Sequence, residues 1–285
     1  MPLTPLQSKT LRLLAESRSP ESHLAGAAGI HMSPKSPRRS HDLDFFHDSE
    51  LAVAEAFERD RRALEQAGVA VATQLSQPGF IRAVISDSDE SLRVDWAHDS
   101  LWRFMPPIAF EGVGWVLHPV DLAVNKVLAL AGRDEPRDFV DCLYLNDDLL
   151  PLGALIWAAV GKDPGLNPQM LLTLLRRKGR YRSEDFSRLD LLQTLDPIAA
   201  KQRYLRALER ADCWMRGRPP AEAGCLYVHP ETGRFYAPEP GDPVQVHRGR
   251  PGGVVPQLRE LTPETFVKSP DIRAELERFF DRRLV

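Results

Sequence analysis

The chain has 285 residues, 43% of them hydrophobic and 27% charged, with a net charge of -3. This composition is that of an ordinary folded protein with enough length for two domains, and it excludes disordered, collagenous and disulfide-scaffold classes. Three widely spaced cysteines (Cys142, Cys213, Cys225) fit neither a disulfide framework nor a zinc site and suit a reducing cytosol. The N-terminus shows no basic-then-apolar leader. The longest apolar stretch, Leu149 to Val160, is too short to span a bilayer, so a cytoplasmic protein without a membrane anchor is expected.

Taken in chain order, Leu6 to Ser17 predicts a helix and Ser22-His-Leu-Ala-Gly26 a short buried strand. A polar loop, Ser33 to Ser40, precedes a strand centred on Asp42-Leu43-Asp44-Phe45-Phe46. Asp48-Ser49-Glu50 opens an amphipathic helix running to Gly68. Val69 to Gln74, Ile81 to Ile85 and Leu92 to Trp96 read as strands, the last two joined by a turn over Ser86 to Ser91.

From Pro119 the texture becomes helical. Helices are expected at Asp121 to Ala131, Arg137 to Leu145, Leu152 to Val160, Pro168 to Lys178 and Pro197 to Met215. After a Pro-rich linker at Arg216 to Pro220, Leu226-Tyr-Val228 and Arg234-Phe-Tyr236 suggest a hairpin. The Gly- and Pro-rich run from Pro238 to Gly253 reads as poorly ordered, and Ser269-Pro270-Asp271 caps a terminal helix.

The chemistry-bearing feature is the Asp42/Asp44 pair. At i and i+2 on a strand, both carboxylates project to one face, roughly 7 Å apart at their α-carbons. Two carboxylates so placed can share divalent cations, and oxygen donors of this kind suit Mg²⁺. Asp95, on a neighbouring candidate strand, supplies a possible third ligand. Asp-Leu-Asp alone is weakly specific, because a strand running into a polar turn has the same pattern. A second feature is electrostatic: residues 176–218 carry a balance of +6, leaving -9 for the rest of the chain. Such a block serves as a phosphate or nucleic-acid footprint, or simply as a solvated helix surface. The dipeptides His41-Asp42, His47-Asp48 and His98-Asp99 resemble phosphohydrolase metal pairs, but they fall on a strand and at turns rather than on helices.

Three runs together resemble the AbiEii/AbiGii toxin nucleotidyltransferases of the polymerase-β-like superfamily. They are Leu24-Ala-Gly26-Ala-Ala-Gly-Ile through Asp42-Leu-Asp44-Phe-Phe46, then Leu117-His-Pro-Val-Asp-Leu-Ala-Val-Asn-Lys126, then Arg137-Asp138-Phe-Val-Asp141. The resemblance implies an α+β fold: a mixed sheet with flanking helices (1–116), a helical domain (117–216) and a small C-terminal extension (217–285). It implies that Asp42 and Asp44, with Asp95, bind Mg²⁺ in a two-metal arrangement on a nucleoside triphosphate. Lys126 would neutralise phosphate charge and Asp138 would orient Lys126 or the acceptor. The turn Gly26-Ala27-Ala28, with Arg38 and Arg39, would line the nucleotide. Where that family carries Gly-Ser or Gly-Gly-Thr, this chain has Gly-Ala-Ala and lacks the hydroxyl. The basic segment Arg176, Arg177, Lys178, Arg180 and Arg182 would contact RNA. The function implied is transfer of a nucleoside monophosphate to RNA such as tRNA, by a bacterial toxin with a cognate antitoxin. A small-molecule nucleotidyltransferase and a non-catalytic nucleotide- or RNA-binding module are the alternatives.

Overall fold

A computed structural model describes residues 3–33 and 35–257. The terminal helix expected after Ser269 lies outside them. In chain order the elements begin with α1 (Pro5–Leu14), β1 (Ser22–Ala25), α2 (Gly26–Ile30), β2 (Asp42–His47) and α3 (Glu50–Gln66). Next come the strands β3 (Ala70–Gln77), β4 (Phe80–Asp87), β5 (Glu90–His98), β6 (Trp102–Arg103), β7 (Ile108–Phe110) and β8 (Gly114–Val116). The helices α4 (Pro119–Gly132), α5 (Pro136–Asp148), α6 (Leu152–Lys162), α7 (Pro168–Arg176), α8 (Ser183–Phe186) and α9 (Pro197–Arg216) follow. The described chain closes with β9 (Cys225–Val228), β10 (Phe235–Tyr236), β11 (Gln245–Arg248) and β12 (Arg250–Pro251). The described residues form two compact units, one from residues 3–101 and Pro106–His118, the other from Trp102–Met105 and residues 119–257.

The first unit is built on a mixed seven-stranded sheet of order β3-β4-β5-β2-β1-β8-β7. β2 runs parallel to β5 and antiparallel to β1, and β1 pairs in parallel with β8. The period-2 alternation of β-strands divides the sheet chemically. Leu43 and Phe45 of β2, Ile81, Ala83 and Ile85 of β4, and Leu92, Val94 and Trp96 of β5 are buried on one face. α1 and α3 cover that face, α3 contributing Val53, Ala56, Phe57 and Leu64. A capping box between Thr4 and Gln7 starts α1, and Ser49 caps α3. The expected six-residue turn between β4 and β5 shrinks to Ser88-Asp89, with Ser88 at φ +54°. β7 and β8 were not expected: three residues each, around a glycine-bearing turn, are too short for alternation to register.

A polar network lies inside this core. Asp60 of α3 accepts hydrogen bonds from Ser17 Oγ (3.0 Å) and Trp96 Nε1 (2.8 Å) and pairs with Arg18 Nη2, both side chains being fully buried. The Arg18 guanidinium also sits 4.4 Å from the Phe45 ring centroid. At the end of β2, His47 is buried, and neither ring nitrogen has a hydrogen-bond partner among the described residues. Burial, aided by the nearby charges of Arg18, His23 and Arg59, lowers its pKa to about 3. Below the ordinary value the unfolded chain binds a proton that the native chain refuses. The stability from neutral His47 is therefore full above pH 6.5 and lost as pH falls from 6.5 toward 3. The expected loss is about 3 kcal/mol by pH 4.5, at ~1.4 kcal/mol per pH unit. It is measured as the difference in urea unfolding between wild type and His47→Leu at pH 7.5 and 4.5; parallel pH profiles would refute it.

The second unit is helical. α6 is apolar along its length, and Leu152 to Val160 are all buried. It packs on α9, whose Ala200, Tyr204, Ala207, Leu208, Ala211 and Met215 face inward. Gly153 permits that approach, since a side chain there would meet the Ala211 Cα at 3.0 Å. The expected hairpin is present as β9 and β10, and β11 pairs on the other side of β9. The segment from Pro238 to Gly253 is thus structured, contrary to expectation. Its β11 supplies hydrogen bonds to the buried strand β9, and His247 Nε2 bonds the Phe104 carbonyl at 3.0 Å. β12 pairs with β6, which ties Trp102 and Arg103 to this unit.

Candidate active site

On the face of the first sheet opposite α1 and α3, β2 presents Asp42 and Asp44. The parallel register sets Asp44 beside Asp95 and Asp42 beside Arg93, and the antiparallel register of β4 sets Arg82 opposite Asp95. Three carboxylates and two guanidiniums therefore share one face. Asp42 accepts from Ser40 Oγ (2.8 Å) and pairs with Arg93 Nη2. Asp95 is engaged on both oxygens: Arg82 Nε donates to Oδ1 (2.8 Å) and Nη2 to Oδ2 (2.7 Å). Planar bidentate pairing of this kind fixes both partners. The bond to Asp95 holds the Arg82 guanidinium above its usual pKa against the effect of burial, with Asp44 and Asp42 adding to it.

Asp44 meets the chain at the β1–α2 junction. There Gly26 adopts φ +59°, and a Cβ on it would lie 1.9 Å from Asp44 Oδ2. Only glycine allows the carboxylate to lie against this backbone. Gly26→Ala is expected to destabilise the fold by more than ~1 kcal/mol and to displace Asp44, combining positive-φ strain with a steric clash. A urea midpoint equal to wild type would contradict this. Ala27 and Ala28 are buried, so their methyl groups pack inward. Arg38 is also buried and donates from Nη1 to the Arg39 carbonyl (3.1 Å), whereas Arg39 is exposed.

Two oxygen-donor carboxylates on one face, beside a backbone with no side chain, suit a hard divalent cation. The three-ligand cluster is not assembled, however. Among the described residues no group of three His, Cys, Asp or Glu side chains is placed to hold a metal ion, the three His-Asp dipeptides included. Asp95 serves as the anchor of Arg82.

In the second unit Lys126 is buried on α4, not solvated. Its Nζ lies 2.9 Å from Asp138 Oδ1 and 2.9 Å from Asp141 Oδ2, both aspartates of α5 being fully buried. Arg133 Nε adds a 2.6 Å bond to Asp138 Oδ2. Burial acts to raise the Asp138 pKa, but Lys126 and Arg133 outweigh it and hold the carboxyl below the ordinary range. Arg137 approaches Glu135 at 3.9 Å. Burial among these charges pushes the Cys142 thiol well up, as expected of a core cysteine.

The basic segment is partly neutralised. Arg176 and Arg216 both pair with Asp212, and Arg203 pairs with Asp147. Arg177, Arg180 and Arg182 are exposed and Lys178 is half-buried. Sequence reasoning passed over Ser40, Arg82 and Arg93. Alternation along Leu92-Arg93-Val94-Asp95 carried the signal for Arg93. Arg82 required the β4–β5 register, which depends on the length of the turn.

No family model matches the chain, and no curated protein matches it. Solved structures do: the fold is that of nucleotidyltransferases. The nucleotidyltransferase toxin MenT4 from Mycobacterium tuberculosis shares it with a TM-score of 0.51 at 14% identity, over 73% of this chain and 82% of its own. JHP933 from Helicobacter pylori gives 0.46 at 16% identity, over 74% and 90%. A second H. pylori protein described as a nucleotidyltransferase gives 0.47 at 16%, over 75% and 98%. At such identities the likeness establishes the fold alone. Among the described residues no single helix is long and apolar enough to cross a membrane.

Proposed function

We propose that this protein is a Mg²⁺-dependent nucleotidyltransferase that moves a nucleoside monophosphate from a nucleoside triphosphate to RNA, tRNA being the first acceptor to test. The observation that carries the reading is the Asp42/Asp44 pair on one face of a nucleotidyltransferase-fold sheet, with Asp44 seated against the Gly26 backbone. Asp42 and Asp44 would hold the metal, which when bound supplies charge neutralisation for phosphates. Ser40 and Arg93 orient Asp42, and Arg82 and Asp95 orient each other. Nucleotidyl transfer depends chiefly on positioning and charge stabilisation, which preorganised ionic groups provide. The resemblance assigns phosphate neutralisation to Lys126. Within its own unit Asp138 and Asp141 hold that ammonium in place. A toxin role, with an antitoxin as partner, accords with the description of MenT4 as a nucleotidyltransferase toxin.

Incubation with each labelled nucleoside triphosphate, Mg²⁺ and total tRNA is expected to label the RNA from one preferred nucleotide. Label on a small molecule alone would refute the acceptor. A second reading, a nucleotide-binding module without turnover, is favoured by Gly26-Ala27-Ala28 lacking a hydroxyl and by the full engagement of Asp95. Triphosphate binding with no transfer by the wild type would select it.

A further inference from the structure

The second unit contains a cavity of about 650 Å³ formed where the end of α5, the start of α6, α9 and the loop after β10 meet. Its wall includes Pro151, Leu152, Arg210, Cys213, Trp214 and Arg218. That volume lies in the range of small-molecule sites and is ample for one nucleotide. None of the residues assigned above to metal, nucleotide or RNA contact lines it.

The cavity combines features suited to single-stranded nucleic acid. Arg203, Arg206 and Arg210 recur at helical spacing on the exposed side of α9, and the same stripe continues through Cys213, Trp214 and Gly217 into the cavity. Arg206 and Arg210, about 6 Å apart along the helix axis, carry no ion pair among the described residues, whereas Arg203 is held by Asp147. Arg218 places its guanidinium 5.0 Å from the Trp214 ring centroid and 5.8 Å from that of Tyr227. This sets a cation against two aromatic rings, side-chain types that bind bases through stacking and cation–π contact. Arg218 Nε is shielded from solvent and has no hydrogen-bond acceptor among the described residues. Asp147 and Glu239 also line the wall. They match Arg210 and Arg218 of the wall one for one, and the positive charge comes from beside the wall, where Arg203, paired with Asp147, and Arg206 continue the stripe on α9.

We propose that this cavity and the α9 arginine stripe bind single-stranded RNA, one base entering beside Trp214 and Arg218 while phosphates follow Arg206 and Arg210. The assignment rests on the reading that the acceptor is RNA, and it moves the main contact from the segment 176–182 to α9. Cys213 gives a direct readout, because it is exposed in the cavity wall while Cys142 and Cys225 are buried. Maleimide alkylation of Cys213 in the full chain is followed with and without a saturating 12-nucleotide single-stranded RNA, whose binding is monitored separately by anisotropy.

Bound RNA is expected to slow alkylation at least fivefold. Arg206→Ala/Arg210→Ala should remove most of that protection and lower the salt slope of binding by about 1.4, at ~0.7 per phosphate contact on a single strand. Alkylation at the free rate with RNA bound overturns the proposal. Slowing that depends on protein concentration without RNA overturns it in favour of a second copy as the occupant. If the wild type transfers nucleotide to RNA yet shows no protection, this site fails and the transferase reading stands. If RNA protects Cys213 but no nucleotide is transferred, the reverse holds.

Discussion

Asp44→Asn is expected to reduce nucleotide transfer on the order of a thousandfold while leaving the fold intact. Asparagine keeps the shape of a half-buried side chain against Gly26, so the stability change should stay within ~0.5 kcal/mol. It removes the negative charge that the proposed cation site requires, and loss of one preorganised electrostatic contact at a reacting centre typically costs about 10²–10³ in rate. Asp95→Asn is a useful contrast, because it weakens the anchor of Arg82 rather than the paired carboxylates. Transfer by Asp44→Asn within tenfold of wild type, at equal protein stability, would remove this carboxylate from the chemistry.

The largest effect on stability is expected at Asp60. Truncation to alanine leaves Arg18 as a buried cation without its carboxylate and takes the acceptor from Trp96 Nε1 and Ser17 Oγ. Removing one partner of a fully buried ion pair costs about 3–5 kcal/mol, since the other charge stays desolvated. That is a large share of the ~5–15 kcal/mol that holds a typical domain together. Asp60→Asn, which keeps an acceptor for the indole and hydroxyl, should lose less. Urea unfolding of the two variants tests this, and a loss below ~1 kcal/mol for Asp60→Ala would show that the network contributes little.

Much of the architecture was legible in the residues. Alternation around Leu43 and Phe45 disclosed β2, and period-2 geometry implied that Asp42 and Asp44 share a face, as the register bears out. The long helices announced themselves through apolar periodicity and, for α3, through its start at Ser49; the caps at Thr4, Asn167 and Asp196 came only with the structure. Tertiary pairing was out of reach. β7 and β8 are three residues each, and β11 lies in a stretch whose glycines and prolines suggested disorder. Its order derives from β9, a partner remote in composition and invisible to local pattern. The same limit hid Arg82, whose role depends on a two-residue turn fixing which residue faces Asp95. The resemblance gave Asp138 the task of orienting Lys126 or the acceptor, but the burial of that lysine and its second partner, Asp141, were not legible in local pattern.

The stitching of Trp102–Met105 to the later part of the chain bears on how this protein can be dissected. The Phe104 and Met105 amides donate to Asp121 (2.7 and 3.0 Å), the Phe104 carbonyl receives the Val254 amide (3.1 Å), and Gly249 lies flat against the Trp102 indole. A fragment cut after His118 would carry these four residues without their hosts, leaving an indole and a phenyl ring bare in water. Aggregation of such a fragment would therefore report a badly chosen cut rather than an unstable sheet. A soluble version would replace residues 102–105 with a short polar loop.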